Sequence, residues 1–156
     1  MSSAELDLLR KMPIFGGLSD RSLGSILCEA TNICVPGGEY FFREGDPGGF
    51  LFVLRQGTVQ VERVWNGRCI VLRKLGPSDC FGEMALVDFQ PRSASVRATA
   101  DCIAIRLSLD TLRALYQSDV EQYAIIMMNM GREVSRRLRA ADERLLELQA
   151  PMGSVR

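Results

Sequence analysis

Apolar positions along this chain change their period twice. Leu6, Leu9 and Met12 recur at helical spacing behind Ser2-Ser3, which predicts a short helix over residues 2–10. Ser19, a good N-cap with Asp20 in the following turn, opens a second helix that runs to about Ala30. From there to about Leu107 the period drops to that of short strands. Thr31–Val35 ends at Pro36-Gly37-Gly38, and Phe50–Leu54 is nearly all apolar, as expected for burial on both faces. Thr58–Val64 alternates, with Val59 and Val61 on one side. Asn66-Gly67 tolerates positive φ at both positions and predicts a tight hairpin into Ile70–Leu75, which stops at Gly76-Pro77. Ala94, Val96 and Ala98 alternate with polar neighbours, and Ile103, Ile105 and Leu107 repeat the pattern. Roughly eight short strands with regular turns predict a closed or rolled antiparallel β structure.

The helical period then returns. Ser108–Tyr116 reads as one helix, and Ser118-Asp119-Val120-Glu121 reads as a capping box opening another that runs to about Gln149, where Ala150-Pro151 stops it. That last helix carries a heptad. One seam position holds Ala124, Gly131, Leu138 and Leu145; the other holds Met127, Val134, Ala141 and Leu148. Four heptads of apolar or small residues meet the usual coiled-coil threshold and predict a parallel homodimer through this helix. The chain therefore divides into an N-terminal helical segment (1–30), a β region (31–107), the C-terminal helices (108–149) and a tail (150–156).

Composition narrows the chemistry. The 156 residues are 47% hydrophobic and 24% charged, the profile of one ordinary globular domain. Lys plus Arg equals Asp plus Glu at 19 each, so no global field favours nucleic acid or an anionic membrane. The sequence contains no histidine, which removes Ser-His and Cys-His catalysis and mixed Cys/His zinc sites. Five cysteines without C-x-x-C spacing read as reduced thiols. With no secretory pattern and no bilayer-length apolar run, the expectation is a cytoplasmic, non-enzymatic protein needing no metal or cofactor.

The densest chemistry lies in Phe81-Gly82-Glu83-Met84-Ala85-Leu86 and in Pro91-Arg92-Ser93-Ala94-Ser95-Val96, which sets Arg92 nine positions after Glu83. A carboxylate can accept from a sugar hydroxyl, and a planar guanidinium can hold a compact phosphate with two parallel hydrogen bonds. Gly82 lets the backbone approach closely, and a short helix after it aims N–H groups at an anion.

This block resembles the phosphate-binding cassette of the cyclic nucleotide-binding domain family, over residues 81–96. That family includes catabolite activator proteins, regulatory subunits of cyclic AMP-dependent protein kinase and cyclic nucleotide-gated channels. Pro13-Ile14-Phe15 with Leu18-Ser19, Gly45-Asp46 ahead of Phe50-Leu51-Phe52-Val53, and Gly57 ahead of Val59 and Val61 extend the resemblance over residues 12–140. It implies a mainly β fold with flanking α: an antiparallel, jelly-roll-like β-roll with N-terminal helices, a hinge helix and a long C-terminal helix. It implies Glu83 as acceptor for the ribose 2′-hydroxyl and Arg92 as phosphate ligand. Gly82, Ala85 and Ser93 would add backbone contacts, Met84 belongs to the same cassette, and Val61 and Leu72 would form the apolar wall beside the base. Arg132, with Asn129 one turn earlier, stands at the distance along the final helix where a base lid is expected. Ser93 leaves cyclic AMP and cyclic GMP both open, with a slight lean to cyclic AMP.

The function implied is a cyclic mononucleotide sensor that repositions its C-terminal helices for an effector protein in trans. Catabolite activator-type regulators continue into a helix-turn-helix; the residues after Gln149 cannot form one, so direct DNA binding is not expected. The alternatives are a dimeric interaction module of the same fold that has lost its ligand, and a receptor for a cyclic dinucleotide.

Overall fold

The computed structural model describes residues 3–153, without the side chains of Glu5, Ala85, Leu86 and 151–153. Two helices, α1 (Ser3–Arg10) and α2 (Asp20–Glu29), flank a 3₁₀ turn at Pro13–Phe15. Ser19 caps α2 by accepting from the Ser22 amide. Eight strands follow: β1 (Thr31–Val35), β2 (Tyr40–Phe42), β3 (Phe50–Gln56), β4 (Val59–Trp65), β5 (Arg68–Leu75), β6 (Cys80–Phe81), β7 (Ser95–Ala98) and β8 (Cys102–Ser108). A short helix, α3 (Glu83–Asp88), interrupts them, and α4 (Leu109–Ser118) and α5 (Val120–Gly153) close the chain.

The strands form two four-stranded antiparallel sheets, ordered β1-β8-β3-β6 and β2-β7-β4-β5. This is the β-roll that the family resemblance implies, and a rolled antiparallel structure as the strand spacing predicts. Phe52 and Leu54 on β3 meet Val59 and Val61 on β4 between the sheets, while Leu51 and Val53 point the other way, onto the helices. That double burial is why Phe50–Leu54 shows no alternation. Strand β8 is also buried on both sides: Ile105 and Leu107 face the helices, and Cys102 and Ala104 face the other sheet. The alternation at Ile103, Ile105 and Leu107 thus marks one face of two, because small residues fill the second. On β4 the outward residues are buried too, since Tyr40 Oη and Gln60 Nε2 both donate to Glu62, at 2.8 and 2.7 Å.

Left-handed residues shape the turns that flank β4. Asn66 (φ 51°) and Gly67 (φ 75°) make the predicted hairpin, pairing Trp65 with Arg68. Gly57 (φ 93°) joins β3 to β4 where a Cβ would stand 2.4 Å from the Asp101 carbonyl oxygen, so no other residue fits.

The C-terminal helices depart from expectation in three ways. Asp119, not Ser118, caps α5: its Oδ1 accepts from the Gln122 amide at 3.3 Å, while Ser118 ends α4 and donates to the Leu115 carbonyl. The helix also continues past Gln149 and through Pro151 to Gly153. The carbonyl that Pro151 leaves without a donor belongs to exposed Glu147, where water can serve it. Finally, the heptad seam is split. Met127 and Val134 are half-buried on their own domain, whereas Met128 is 58% exposed, so the free face of the first two heptads is Ala124, Met128, Gly131 and Ser135. Beyond it Leu138, Leu145 and Leu148 stand 62%, 53% and 64% exposed. The buried stripe of α5 is Ile126, Asn129, Met130 and Glu133. Asn129 Nδ2 donates to the Ile14 and Gly16 carbonyls at 3.0 and 2.9 Å, tying the helix to the N-terminal turn. Among the described residues no helix is long and apolar enough to cross a membrane.

Candidate functional site

A cavity of about 300 Å³ opens between the β4–β5 sheet, α3 and α5. Phe42 and Phe81 give it an aromatic floor, and Phe52 stacks on Phe81 at 5.3 Å without lining the cavity itself.

Arg92 enters this floor from the chain after α3. Its backbone is clamped to the β2–β3 loop by Arg92 N–H to Asp46 O and Gly45 N–H to Arg92 O, both 2.9 Å. The side chain is only 5% exposed and lies 4.0 Å over the Phe42 ring. Nη1 donates to the Gly82 carbonyl at 3.0 Å and Nη2 to the Phe50 carbonyl at 2.9 Å, but Nε is buried with no hydrogen-bond partner among the described residues. Desolvation pulls the guanidinium below its usual pKa, against the opposing fields of Asp46 and Glu83. A buried cation held by carbonyls, with Nε left unpaired, is built to meet an anion. Gly82 makes the close packing possible. It takes φ 85°, and a Cβ there would stand 2.7 Å from Arg92 Nη1.

Glu83 is the first residue of α3 and is 3% exposed. Its Oε1 accepts from Arg137 Nη1 of α5 at 2.6 Å. Arg137 also donates through Nη2 to the Cys80 carbonyl, and its Nε lies 3.2 Å from Glu133 Oε1. One arginine therefore joins the long helix to the cassette turn.

Of the residues singled out from sequence, Gly82, Glu83, Met84, Arg92, Ser93, Val61 and Leu72 all line the cavity. Ser93 is exposed there. Ala85 lies in α3, and its side chain is outside the described residues. Arg132 does not reach the cavity: it is exposed, and its Nη1 donates to Asn129 Oδ1 at 3.1 Å, supplying the donor that the buried amide oxygen needs. The α5 arginine in the cleft is Arg137, set seven residues after buried Met130 on the same helix face. That spacing was the available signal; the pair Glu133–Arg137 reads equally well as a surface i,i+4 pair.

Arg73 is the second residue that sequence reasoning missed. A plain hairpin register from Trp65↔Arg68 would set Leu72 opposite Val61, but a bulge between Val61 and Glu62 puts Arg73 there. Arg73 lines the cavity, and its side chain donates no hydrogen bond among the described residues; desolvation and Arg137 lower its pKa, and Glu83 and Glu133 raise it. The cavity wall thus carries Arg63, Arg73, Arg92 and Arg137 against Glu83 and Asp88, an excess of positive charge.

Comparison with known proteins agrees with this geometry. The family model described as "Cyclic nucleotide-binding domain" matches residues 33–119. The chain is 29% identical over 143 residues to a "CRP-like cAMP-activated global transcriptional regulator" of Mycobacterium tuberculosis, covering 91% of this chain and 62% of that protein. It is 38% identical over 93 residues to a "cGMP-dependent protein kinase" of Toxoplasma gondii, covering 60% of this chain and 9% of the kinase. The crystal structure of a cyclic nucleotide-binding domain from Methylobacillus flagellatus superposes with a TM-score of 0.82 at 25% identity, covering 97% of this chain and 83% of that one. The chain spans about three fifths of the length of the mycobacterial relative.

Proposed function

The chain belongs to the cyclic nucleotide-binding domain family, and on that premise we propose that it is a sensor of a cyclic mononucleotide that signals through the position of α5. The observation that carries this reading is the pairing of Arg92 and Glu83 in one cleft, both at most 5% exposed, with Arg92 Nε unpartnered. A cyclic phosphate supplies the acceptor that Arg92 lacks. The ribose 2′-hydroxyl donates to Glu83, whose carboxylate Arg137 already orients. Val61 and Leu72 offer the base an apolar wall.

Arg137 supplies the link to output. Ligand that bridges Glu83 and Arg92 engages the same carboxylate as the α5 arginine, so its binding energy depends on where α5 sits. That differential is what shifts a population between helix positions. The exposed face Ala124, Met128, Gly131, Ser135, Leu138 and Leu145 supports a parallel homodimer as the form in which the shift is read by an effector protein.

For the base, Arg73 favours cyclic GMP. Its fork is donor-only and lies in the fields of Glu83 and Glu133, and guanine presents two adjacent acceptors, O6 and N7, where adenine pairs an acceptor with a donor. This reading differs from the slight lean to cyclic AMP drawn from the sequence. Calorimetric titration with both nucleotides tests the whole reading. Arg92→Ala is expected to weaken binding by about 30-fold or more, since truncating one partner of a buried charged contact costs about 2–5 kcal/mol. Arg73→Ala is expected to reduce the preference for cyclic GMP by about tenfold, within the range for a bidentate contact to guanine. Failure of the unmodified protein to bind either nucleotide would leave the interaction module or a cyclic dinucleotide receptor.

A further inference from the structure

The cassette helix and the C-terminal helices enclose a second cavity that the nucleotide reading leaves unused. It measures about 260 Å³, close to the 300 Å³ of the cleft, and lies between α3, α4 and α5. Leu112 of α4 and Met130 of α5, both buried, line it, with half-buried Met127 beside them. Around them Val87, Phe89 and Tyr116 stand 60%, 74% and 56% exposed. Large apolar side chains left in water around a recess mark a binding site. Phe89 is also held at φ 57°, a left-handed backbone that residues with a side chain avoid, and such strain gathers where ligands bind.

The chemistry of the lining selects the ligand. Among the described residues Arg113 is the one charged group that lines this cavity, and no carboxylate does. Arg113 pairs with Asp110 at 3.5 Å, an exposed i,i+3 contact of little worth, so its guanidinium is free to turn to a better acceptor. A planar guanidinium suits a carboxylate, and the pliable methionines beside Leu112 suit a hydrocarbon body. The cleft is different: there Glu83 and Asp88 accompany the arginines, as a ligand bearing hydroxyls requires.

We propose that this cavity is a second ligand site, for an apolar monocarboxylate of the fatty-acid class, with the carboxylate on Arg113 and the chain over Leu112, Met127 and Met130. The occupant touches Val87 on the helix that Glu83 begins, and Met127 and Met130 on the helix that Arg137 ties to Glu83. It bridges the same two elements as the Glu83–Arg137 pair and favours the same position of α5. Nucleotide and carboxylate then raise each other's affinity by one factor, as linkage requires. The coupling rests on the nucleotide reading above; the site does not.

The methionines are separate reporters, since Met127 and Met130 line this cavity and Met84 lines the cleft. The full-length protein, isotope-labelled at its methionine methyls, is titrated by NMR with octanoate and with octanol as the uncharged control. Octanoate is expected to shift Met127 and Met130 along a saturating curve with a Kd of about 1 mM or tighter, while Met84 moves least. Arg113→Gln is expected to weaken octanoate about tenfold and leave octanol unchanged. Its side chain is 62% exposed, so thermal unfolding checks that the fold is retained. Saturating cyclic GMP should not displace octanoate, and octanoate should tighten cyclic GMP about fivefold. Shifts centred on Met84, shifts that never saturate, or an octanoate affinity untouched by Arg113→Gln overturn the site. Octanol bound as tightly as octanoate overturns the carboxylate. An unchanged nucleotide Kd overturns the coupling alone. A protein that takes octanoate at Met127 and Met130 but no cyclic nucleotide overturns the sensor reading and leaves this site standing.

Discussion

Arg137→Met is the sharpest perturbation of the link between α5 and the cassette. The side chains of Arg137 and Glu83 are 13% and 3% exposed, and Oε1 and Nη1 stand 2.6 Å apart. Removing the guanidinium strands a buried carboxylate and takes the Nη2 donor from the Cys80 carbonyl. Breaking a buried pair from one side costs about 3–5 kcal/mol, and Glu83→Gln incurs a penalty of the same kind by leaving Arg137 only the Glu133 carboxylate, 3.2 Å from its Nε. At about 2–4 °C per kcal/mol for a chain of this size, each single variant should melt roughly 6–20 °C lower. The double variant Glu83→Gln/Arg137→Met carries no buried unpaired charge and should recover much of that loss. Urea unfolding of all four proteins yields the coupling energy directly, expected at about 2 kcal/mol or more. Additive single effects, with coupling below about 0.5 kcal/mol, would refute the link and leave Asn129 as the chief anchor of α5.

Three further outcomes test the packing around the site. Ser78 sits at φ 77° in the turn Gly76-Pro77-Ser78-Asp79, where the Asp79 amide donates to the Gly76 carbonyl at 3.1 Å. A left-handed L-residue costs about 1–2 kcal/mol and glycine's extra entropy returns part of that, so Ser78→Gly should stabilise by about 0.5–1 kcal/mol in urea unfolding. Burial pushes the Cys80 thiol up to about 12, with Glu83 adding to the effect. From about pH 9, the ordinary value, the unfolded thiol ionises while the folded one stays protonated, so this group's contribution to stability falls until about pH 12. Cys80→Ala should flatten that alkaline slope. Thiol titration near pH 8 should find exposed Cys28, Cys34 and Cys69 in the native protein, and buried Cys80 and Cys102 only after unfolding.

The strands, their turns and the cassette were legible in the chain because their causes are local. Alternation at Val59 and Val61, the positive-φ pair Asn66-Gly67 and the N-cap Ser19 each act over a few residues. The strands β2 and β6 escaped because three and two residues are too few to show a period. Glu83 and Arg92 could be picked out because their types and spacing match a chemical need.

What tertiary structure alone decided was which arginines join them. Arg73 reaches the cavity through a one-residue bulge that moves it opposite Val61, and a bulge leaves no mark in apolar spacing. Arg137 rather than Arg132 faces the cleft because Asn129 pins α5 to the carbonyls of Ile14 and Gly16, and that contact sets the helix's rotation. Every arginine on α5 has the same helical period; only packing more than a hundred positions away in sequence selects the face. Local periodicity specifies elements, and the angle at which one element meets another is settled by contacts that the linear order does not bring together.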